Sequence, residues 1–290
     1  MQGRVYPIHE ARIGVTDWAV THSDAVYDVV PVWDGAFFRL DDYLERFEAS
    51  VTSARMDLGM PRGAIVAALM DMVRQSGLRS AYVAMVAARG VSIVPGLRDP
   101  RACANHFYAW CVPYVHVVAP ELAEAGVSVW VSDTVRRIPE DSVNPRAKNY
   151  HWGDFTAGLF EAKDNGFETV LLPDYAGNVT EGPGFNVFAL KGSTVVTPER
   201  GVLHGITRRM AMELVEEAGH SLERRALSVA ELMEADEVFL STSGGGIVPV
   251  TRINDRMFSN GVPGPVAQTL RSQYFERLHD IRYRTEIAYV

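Results

Sequence analysis

One lysine, Lys148, stands in the stretch NPRAKNYHWGDF, between a proline-bearing turn and an aromatic-rich segment. A lysine amine is a nucleophile only after losing its proton, and burial among apolar groups disfavours the ammonium form. Tyr150 and Trp152 supply aromatic neighbours for such a site. The same pattern also fits a surface lysine whose stem lies along aromatic rings. A second candidate is Glu181 in NVTEGPGFNVF, followed by Gly182, Pro183 and Gly184. A carboxylate beside glycines can sit at a tight turn against a flat ligand and pair with a heterocyclic nitrogen; a loop glutamate between two strands fits as well. Gly205, Ile206 and Thr207 precede an amphipathic run, and the unpaired N–H groups of a helix start bind phosphate readily. Thr207 alternatively suits an N-cap with no ligand. In FLSTSGGGIVPV, Thr242 and Ser243 offer hydroxyls and Gly244 to Gly246 offer accessible backbone N–H groups, either as a second phosphate cradle or as a flexible turn. Arg46 in YLERFEAS has a guanidinium that can grip phosphate with two bonds, or pair along its own helix face.

These residues need elements to hold them. AVYDVVPVW (Ala25 to Trp33) and AFFRL read as strands joined by an Asp34-Gly35 hairpin turn. The helix that follows carries Leu44, Phe47, Val51 and Ala54 on one face. Pro61 opens a second helix with Ile65, Val66, Leu69, Met70 and Val73. SAYVAMVAARG and HFYAWCVPYVHVV read as buried strands, and Pro113 places a bulge or an edge in the second. VVAPELAEAG is a crossover, where the domain boundary is expected. Beyond it, VSVWVSDTV reads as a strand, HWGDFTAGLFEAKDNG as a helix, and FETVLLPD, GNVTEG and FNVFALKGSTVVTP as short strands. ITRRMAMELVEEAG is a helix ending at Gly219. Ser228 to Glu231 is a capping box before another helix. DEVFLSTSGGG runs from a strand into a glycine loop, and Pro265 to His279 closes the chain as a helix. Each half thus mixes strands and helices, which predicts two α+β lobes. The expected division is an N-terminal lobe at 1–116, an interdomain loop at 117–125 and a C-terminal lobe at 126–290, with the cleft between lobes as the expected ligand site.

The composition is that of a globular chain of 290 residues, 47% hydrophobic and 22% charged. A net charge of −8 makes no case for nucleic acid as the main partner. Cys103 and Cys111 form neither a CxxC pair nor a disulfide framework, as expected of reduced thiols. No apolar run approaches the roughly 20 residues that cross a bilayer, and no signal-peptide core follows Met1. A cytoplasmic protein is expected, and the Asn178-Val179-Thr180 sequon is read as accidental.

In this order, Arg46, Lys148, Glu181 in TEGPGFN, GIT before a helix, and STSGGG resemble the fold-type IV (class IV) pyridoxal-phosphate transaminases, a family of branched-chain and D-amino-acid transaminases and aminodeoxychorismate lyases. HSDAVYDVVPVWDGAFFRLDDYLERFEAS, TVRRIPEDSVNPRAKNYHWGD and TEGPGFNV are most similar to the (R)-selective amine:pyruvate transaminases. The resemblance implies a two-domain α+β fold of the D-amino-acid aminotransferase type. Its smaller N-terminal lobe is an α/β sandwich, and its larger C-terminal lobe carries a β-barrel-like sheet. It implies pyridoxal 5'-phosphate as cofactor, held by Lys148 as an imine, with Lys148 also the proton carrier. Glu181 would pair with the pyridine nitrogen, and Arg46, Ile206, Thr207 and Thr242 would hold the phosphate with Ser243 close by. His22, Tyr27, Trp152 and Gly244 would shape the substrate pockets, and Arg98 in VPGLRDP would grip an acceptor carboxylate. The implied reaction moves an amino group from an (R)-configured primary amine to a keto acid such as pyruvate. D-amino-acid or branched-chain transamination is the alternative, and a lyase is the more distant one. The implied assembly is a homodimer with active sites at its interface; neither nucleic acid nor membrane is an expected partner. Two positions depart from that subgroup: Tyr43 stands where histidine is common, and Ser243-Gly244 where Thr-Ala is common, which keeps a hydroxyl and removes a methyl.

Overall fold

The structure is a computed structural model and describes residues 4–289. The chain folds as two units. The first takes the chain up to residue 115, together with 147–151 and the segment from 280 onward; the second takes 116–146 and 152–279. Two stretches expected in the C-terminal lobe, one around Lys148 and one at the chain's end, thus build onto the first unit.

In chain order the first unit contains α1 (Trp18–Thr21), β1 (Ala25–Trp33), β2 (Ala36–Phe38), α2 (Leu40–Ser53), α3 (Arg62–Ser76), β3 (Ala81–Ala88) and β4 (His106–Pro113). The second contributes α4 (Pro120–Ala125), β5 (Val127–Val131), α5 (Gly153–Asp164), β6 (Thr169–Leu171), β7 (Glu181–Gly182), β8 (Phe185–Lys191), β9 (Thr194–Thr197), α6 (Ile206–Glu217), β10 (Ser221–Arg224), α7 (Val229–Met233), β11 (Glu237–Thr242), β12 (Gly246–Ile253), β13 (Arg256–Met257) and α8 (Pro265–Arg277). A last strand, β14 (Arg284–Glu286), belongs to the first unit again.

The first unit is an antiparallel sheet in the order β14-β2-β1-β3-β4. Asp34 (φ 45°) and Gly35 (φ 79°) both take left-handed backbone angles, which the two-residue hairpin between β1 and β2 requires. Pro113 ends β4 at the sheet's edge, where a missing N–H costs no ladder bond. Asp41 and Asp42 lie in the first turn of α2 and complement its dipole. The buried stripe of α2 is Leu40, Tyr43, Leu44, Phe47 and Ser50. Val51 and Ala54, expected on that stripe, are only half-buried, because the helix ends at Ser53. α3 starts after Pro61 and stops at Gly77 (φ 69°), with Ile65, Leu69 and Val73 buried.

The second unit is a mixed sheet in the order β10-β9-β8-β11-β12-β5-β6, with β13 on β12 and β7 on β8. Backbone bonds from Leu172 to the Glu181 carbonyl and from Thr180 to the Leu172 carbonyl, both 3.1 Å, extend the pairing from the end of β6 to β7. Since β7 also pairs with β8, the strands β8-β11-β12-β5-β6-β7 close on themselves as the expected barrel-like sheet. A core including Val129, Leu171, Phe185, Val187, Leu240 and Val250 fills this unit. The 117–125 stretch, expected as a loop, contains α4, because Pro120 sits at a first helical position that needs no N–H. Among the described residues no helix is long and apolar enough to cross a membrane, and no group of three or more metal-ligating side chains occurs.

One carboxylate fixes α5 to the loop after β5. Glu161 accepts from Trp130 Nε1 (2.9 Å), Ser132 Oγ (2.5 Å), the Asp133 N–H (2.9 Å) and Thr134 Oγ1 (2.8 Å). Burial disfavours its charge, but these four donors outweigh burial and hold its pKa at about 2, below the ordinary 4.5. A depressed carboxyl pKa contributes stability that is complete above the unfolded value and lost as pH falls through the folded one. The stability gap between wild type and Glu161→Gln is therefore expected to be constant near neutrality and to narrow from pH 4.5 toward about 2. Denaturant midpoints measured against pH check this; a gap independent of pH would contradict it.

Candidate active site

In the first unit, Lys148 is placed by its backbone. β1 gives one edge to β3 from Ala25 to Val32, and β2 occupies the other edge only at Val32 and Trp33. The vacant stretch of that edge takes the 147–151 segment: Val26 bridges Asn149, and the Tyr27 N–H donates to the Lys148 carbonyl at 2.9 Å. From the other side, the Lys148 N–H donates to Ser50 Oγ at 3.2 Å, while Ser50 Oγ donates to the Arg46 carbonyl at 2.9 Å. The same turn of α2 thus holds Lys148 and Arg46. The Lys148 Nζ lies 4.6 Å from the centre of the Tyr27 ring, and Tyr150 stacks on Tyr27 at 4.2 Å with the rings nearly parallel. Tyr82, Tyr108, Trp110, Ala84 and Val86 continue this wall. Burial raises the Tyr150, Tyr82 and Tyr108 phenols above the ordinary tyrosine range, so they remain protonated at neutral pH.

Arg46 reaches from α2 to β1. Its Nε and Nη2 donate to Asp28 of β1 at 2.8 and 2.6 Å, and its guanidinium lies 5.4 Å from the Tyr43 ring centre. Burial opposes the Arg46 charge, but Asp28 more than offsets this and raises its pKa. Asp28, fully buried, is a residue the sequence reading missed. Its signal was an acid inside an otherwise apolar strand, where an unpaired charge is very costly. His22, also in this unit, caps the end of α1, is exposed and stacks on Trp18 at 4.6 Å. Arg98 is exposed in the loop between β3 and β4.

The second unit holds the remaining residues. Glu181, 5% exposed, accepts from Arg137 Nε (3.3 Å) and Nη2 (3.2 Å) at Oε1, and from the Leu203 N–H (2.8 Å) at Oε2. Arg137 Nη1 donates to Asp154 Oδ2 at 2.6 Å. Arg137 and Asp154 were not singled out from the sequence. Arg136 and Arg137 are indistinguishable locally, yet Arg136 bonds loop carbonyls while Arg137 turns inward. Gly182 has no room for a side chain: a Cβ there would lie 2.1 Å from the Phe185 ring and 2.4 Å from the Val170 carbonyl oxygen. Gly182→Ala is expected to displace β7 and its neighbour Glu181 and to cost about 1–3 kcal/mol of stability. Thermal or denaturant unfolding checks it, and an unchanged midpoint would contradict it.

α6 begins at Ile206 with Gly205 as its N-cap, so Thr207 lies inside the helix and is not its cap. Gly205 has no side chain to satisfy the first N–H groups, unlike Ser228 of α7, which accepts from the Glu231 N–H. A Cβ at Gly205 would also lie 2.4 Å from Asn186 Oδ1. Thr207 Oγ1 and Ser243 Oγ are 3.4 Å apart, and the Gly244 N–H donates to Thr242 Oγ1 at 3.2 Å. The start of α6 and the turn after β11 therefore present hydroxyls and helix N–H groups side by side, a donor set suited to phosphate. Trp152 precedes α5 and packs edge-on against Phe155 at 5.4 Å. A cleft of about 500 Å³ in this unit is lined by Arg137, Thr180, Glu140, Glu199 and Arg200 among others, and by none of the candidate cofactor- or substrate-binding residues.

Residues 25–253 match the family model described as Amino-transferase class IV. A protein of Methanocaldococcus jannaschii, provisionally named a branched-chain-amino-acid aminotransferase, is 29% identical over 97% of this chain and 95% of its own length. The D-alanine aminotransferase of Bacillus licheniformis is 27% identical over 93% of each chain. Among solved structures, the branched-chain amino acid aminotransferase of Thermobaculum terrenum in its PLP form superimposes with a TM-score of 0.86 at 28% identity, covering 98% of this chain and 96% of that one. The Escherichia coli branched-chain enzyme shares the fold, with a TM-score of 0.90 at 23% identity over 99% of this chain and 97% of that one.

Proposed function

The chain belongs to the class IV aminotransferases, and on that premise we propose that it transfers the amino group of an (R)-configured primary amine to a keto acid such as pyruvate. It is a pyridoxal 5'-phosphate-dependent aminotransferase. The residues fit that cofactor: donors suited to phosphate at the start of α6 and the turn after β11, a carboxylate on β7 and a half-buried lysine amine. The cofactor, when bound, supplies the electron sink for the pair of electrons left when the substrate carbon loses its proton. In the proposed assignment Lys148 Nζ would hold the cofactor covalently and, once released by substrate, would carry the proton between the substrate carbon and the cofactor. Glu181 would pair with the pyridine nitrogen and keep a proton there. Ile206, Thr207, Thr242 and Ser243 bind the phosphate. Arg46, already neutralised by Asp28, adds a fixed dipolar contact instead of a bare charge.

The observation that carries the amine reading is the wall beside Lys148. Lys148 Nζ lies over the Tyr27 ring, and Tyr27 packs in one apolar cluster with Tyr82, Tyr108, Trp110, Tyr150, Ala84 and Val86. The rings and small apolar groups of this cluster suit an apolar amine substituent. A keto-acid acceptor still needs a cation, and we assign that role to Arg98, whose exposed loop can bring it to the acid and withdraw it for the amine. Arg98→Ala is expected to raise the KM for pyruvate roughly 10–100-fold, the value of a charge-assisted bond, and to leave the KM for the amine unchanged. An unchanged pyruvate KM would remove this role.

The names of the relatives favour a second reading, D-amino-acid or branched-chain transamination. Half-reactions separate the two. The cofactor-loaded protein is mixed with (R)-1-phenylethylamine, (S)-1-phenylethylamine, D-alanine and L-leucine in turn, and the visible absorbance is followed. Rapid bleaching by the (R)-amine alone is expected; bleaching by an amino acid and by neither amine would establish the alternative. The working form proposed is a homodimer, and a monomer mass for the active protein by light scattering would contradict it.

A further inference from the structure

We propose that Arg137, steadied by Asp154, is a positioning residue for Glu181: it fixes the plane of that carboxylate and keeps it ionised for the pyridine nitrogen. The proposal rests on the assignment of Glu181 given above. Three charged side chains lie in one buried line. Arg137, Glu181 and Asp154 keep only 9%, 7% and 6% of their side-chain surface exposed. Arg137 gives two N–H groups to a single oxygen of Glu181 and a third to Asp154. The other Glu181 oxygen is held by the Leu203 N–H at 2.8 Å. Asn186 Nδ2 adds a longer contact to that second oxygen at 3.5 Å, and with its two oxygens held from different directions the carboxylate is fixed in its plane.

Arg137 is itself over-determined. Its guanidinium lies 4.3 Å from the Phe155 ring centre. Its backbone N–H donates to the Pro173 carbonyl at 3.0 Å. The next backbone N–H, that of Ile138, donates to the same Asp154 oxygen at 2.9 Å. Asp154 therefore orients the side chain of Arg137 and the chain that carries it. The charges also decide the chemistry. One cation between two anions leaves the trio with a net charge of −1. Without Arg137 the two carboxylates lose the cation they share, the buried Arg208 of α6 remains the other cation coupled to Glu181, and protonation of a carboxylate becomes easier. A protonated Glu181 accepts weakly from a pyridine N–H, and the electron sink suffers. Without the Asp154 charge, Arg137 acts undiluted on Glu181 and makes it a weaker base. The two substitutions thus act in opposite directions on the same group, which a purely structural role would not produce.

The test uses the cofactor-loaded protein and four variants: Arg137→Gln, Arg137→Lys, Asp154→Asn and Glu181→Gln. The readouts are the acid limb of the kcat–pH profile and, independent of turnover, the pH midpoint of the acid change in the bound cofactor's absorbance. Arg137→Gln is expected to lower kcat by about 10–100-fold with KM little changed, and to move both acid midpoints upward. Arg137→Lys is expected to restore most of both. Asp154→Asn is expected to move the midpoints downward. Midpoints that stay at the wild-type value, or that move the same way in Arg137→Gln and Asp154→Asn, overturn the proposal. Should Arg137→Gln fail to fold, Asp154→Asn and Arg137→Lys decide it by the same midpoints. Glu181→Gln separates the two levels: if it leaves cofactor absorbance and kcat unchanged, the assignment of Glu181 itself fails. If Glu181→Gln abolishes the acid limb while Asp154→Asn leaves it in place, the assignment stands and the Arg137 proposal falls.

Discussion

Lys148→Ala is expected to fold normally and to lose transaminase turnover by about 10³–10⁴-fold, the range of a positioned proton carrier. The fold should survive because what holds this segment is its backbone. The Lys148 N–H donates to Ser50, its carbonyl accepts from Tyr27, and Asn149 bridges Val26. None of these needs the lysine side chain. The residue is half-buried, with its amine over the Tyr27 ring. In the proposed assignment, removing the amine takes away both the covalent hold on the cofactor and the base at the substrate carbon. Single-turnover mixing with the (R)-amine separates the two losses. Bleaching should be slowed by the same factor as kcat and partly recovered by an added small primary amine. Turnover within tenfold of wild type would show that another group moves the proton.

Glu181→Gln carries the second large effect, a loss of about 10²–10³-fold in kcat, the scale on which a single oriented electrostatic partner contributes. Stability should change little, and the network explains why. Removing one partner of a buried ion pair is severe when it strands the other charge. Here Arg137 keeps Asp154 at 2.6 Å, and the trio passes from a net charge of −1 to neutrality. The glutamine oxygen can still accept from Leu203 or Arg137, while its NH2 no longer holds a proton on a ring nitrogen. A pre-steady-state measurement with the (R)-amine checks this: the proton-removal phase should slow while cofactor remains bound. Equal rates in the two proteins would remove Glu181 from the chemistry.

Much of this was legible in the sequence because it depends on local chemistry. The Asp34-Gly35 turn, the α2 and α3 stripes, the Ser228 cap and the strand before the glycine run are each set by a few neighbouring residues. What escaped depends on pairing between distant stretches of chain. β14 is a polar RTE at the sheet edge, with no periodic signal of its own. β10 and β12 were missed because one is short and exposed and the other starts inside the glycine run. The segment carrying Lys148 joins the first unit only because β2 leaves part of β1's edge vacant, a fact of register that no local pattern encodes. The site shows the same division. Lys148, Glu181 and the hydroxyls stand beside recognisable turn and helix-start residues. The partners that hold them, Asp28 for Arg46 and the Arg137–Asp154 pair for Glu181, are ordinary residues until the fold brings them together.

The most direct trial of the central claim is chemical capture. The pyridoxal-phosphate-loaded protein is reduced with borohydride, digested, and its peptides mapped by mass spectrometry. A phosphopyridoxyl mass on the ε-nitrogen of Lys148, absent from Lys163 and Lys191, is the predicted result. Cofactor released intact, or fixed to a different lysine, would contradict the assignment from which the rest of the site is built.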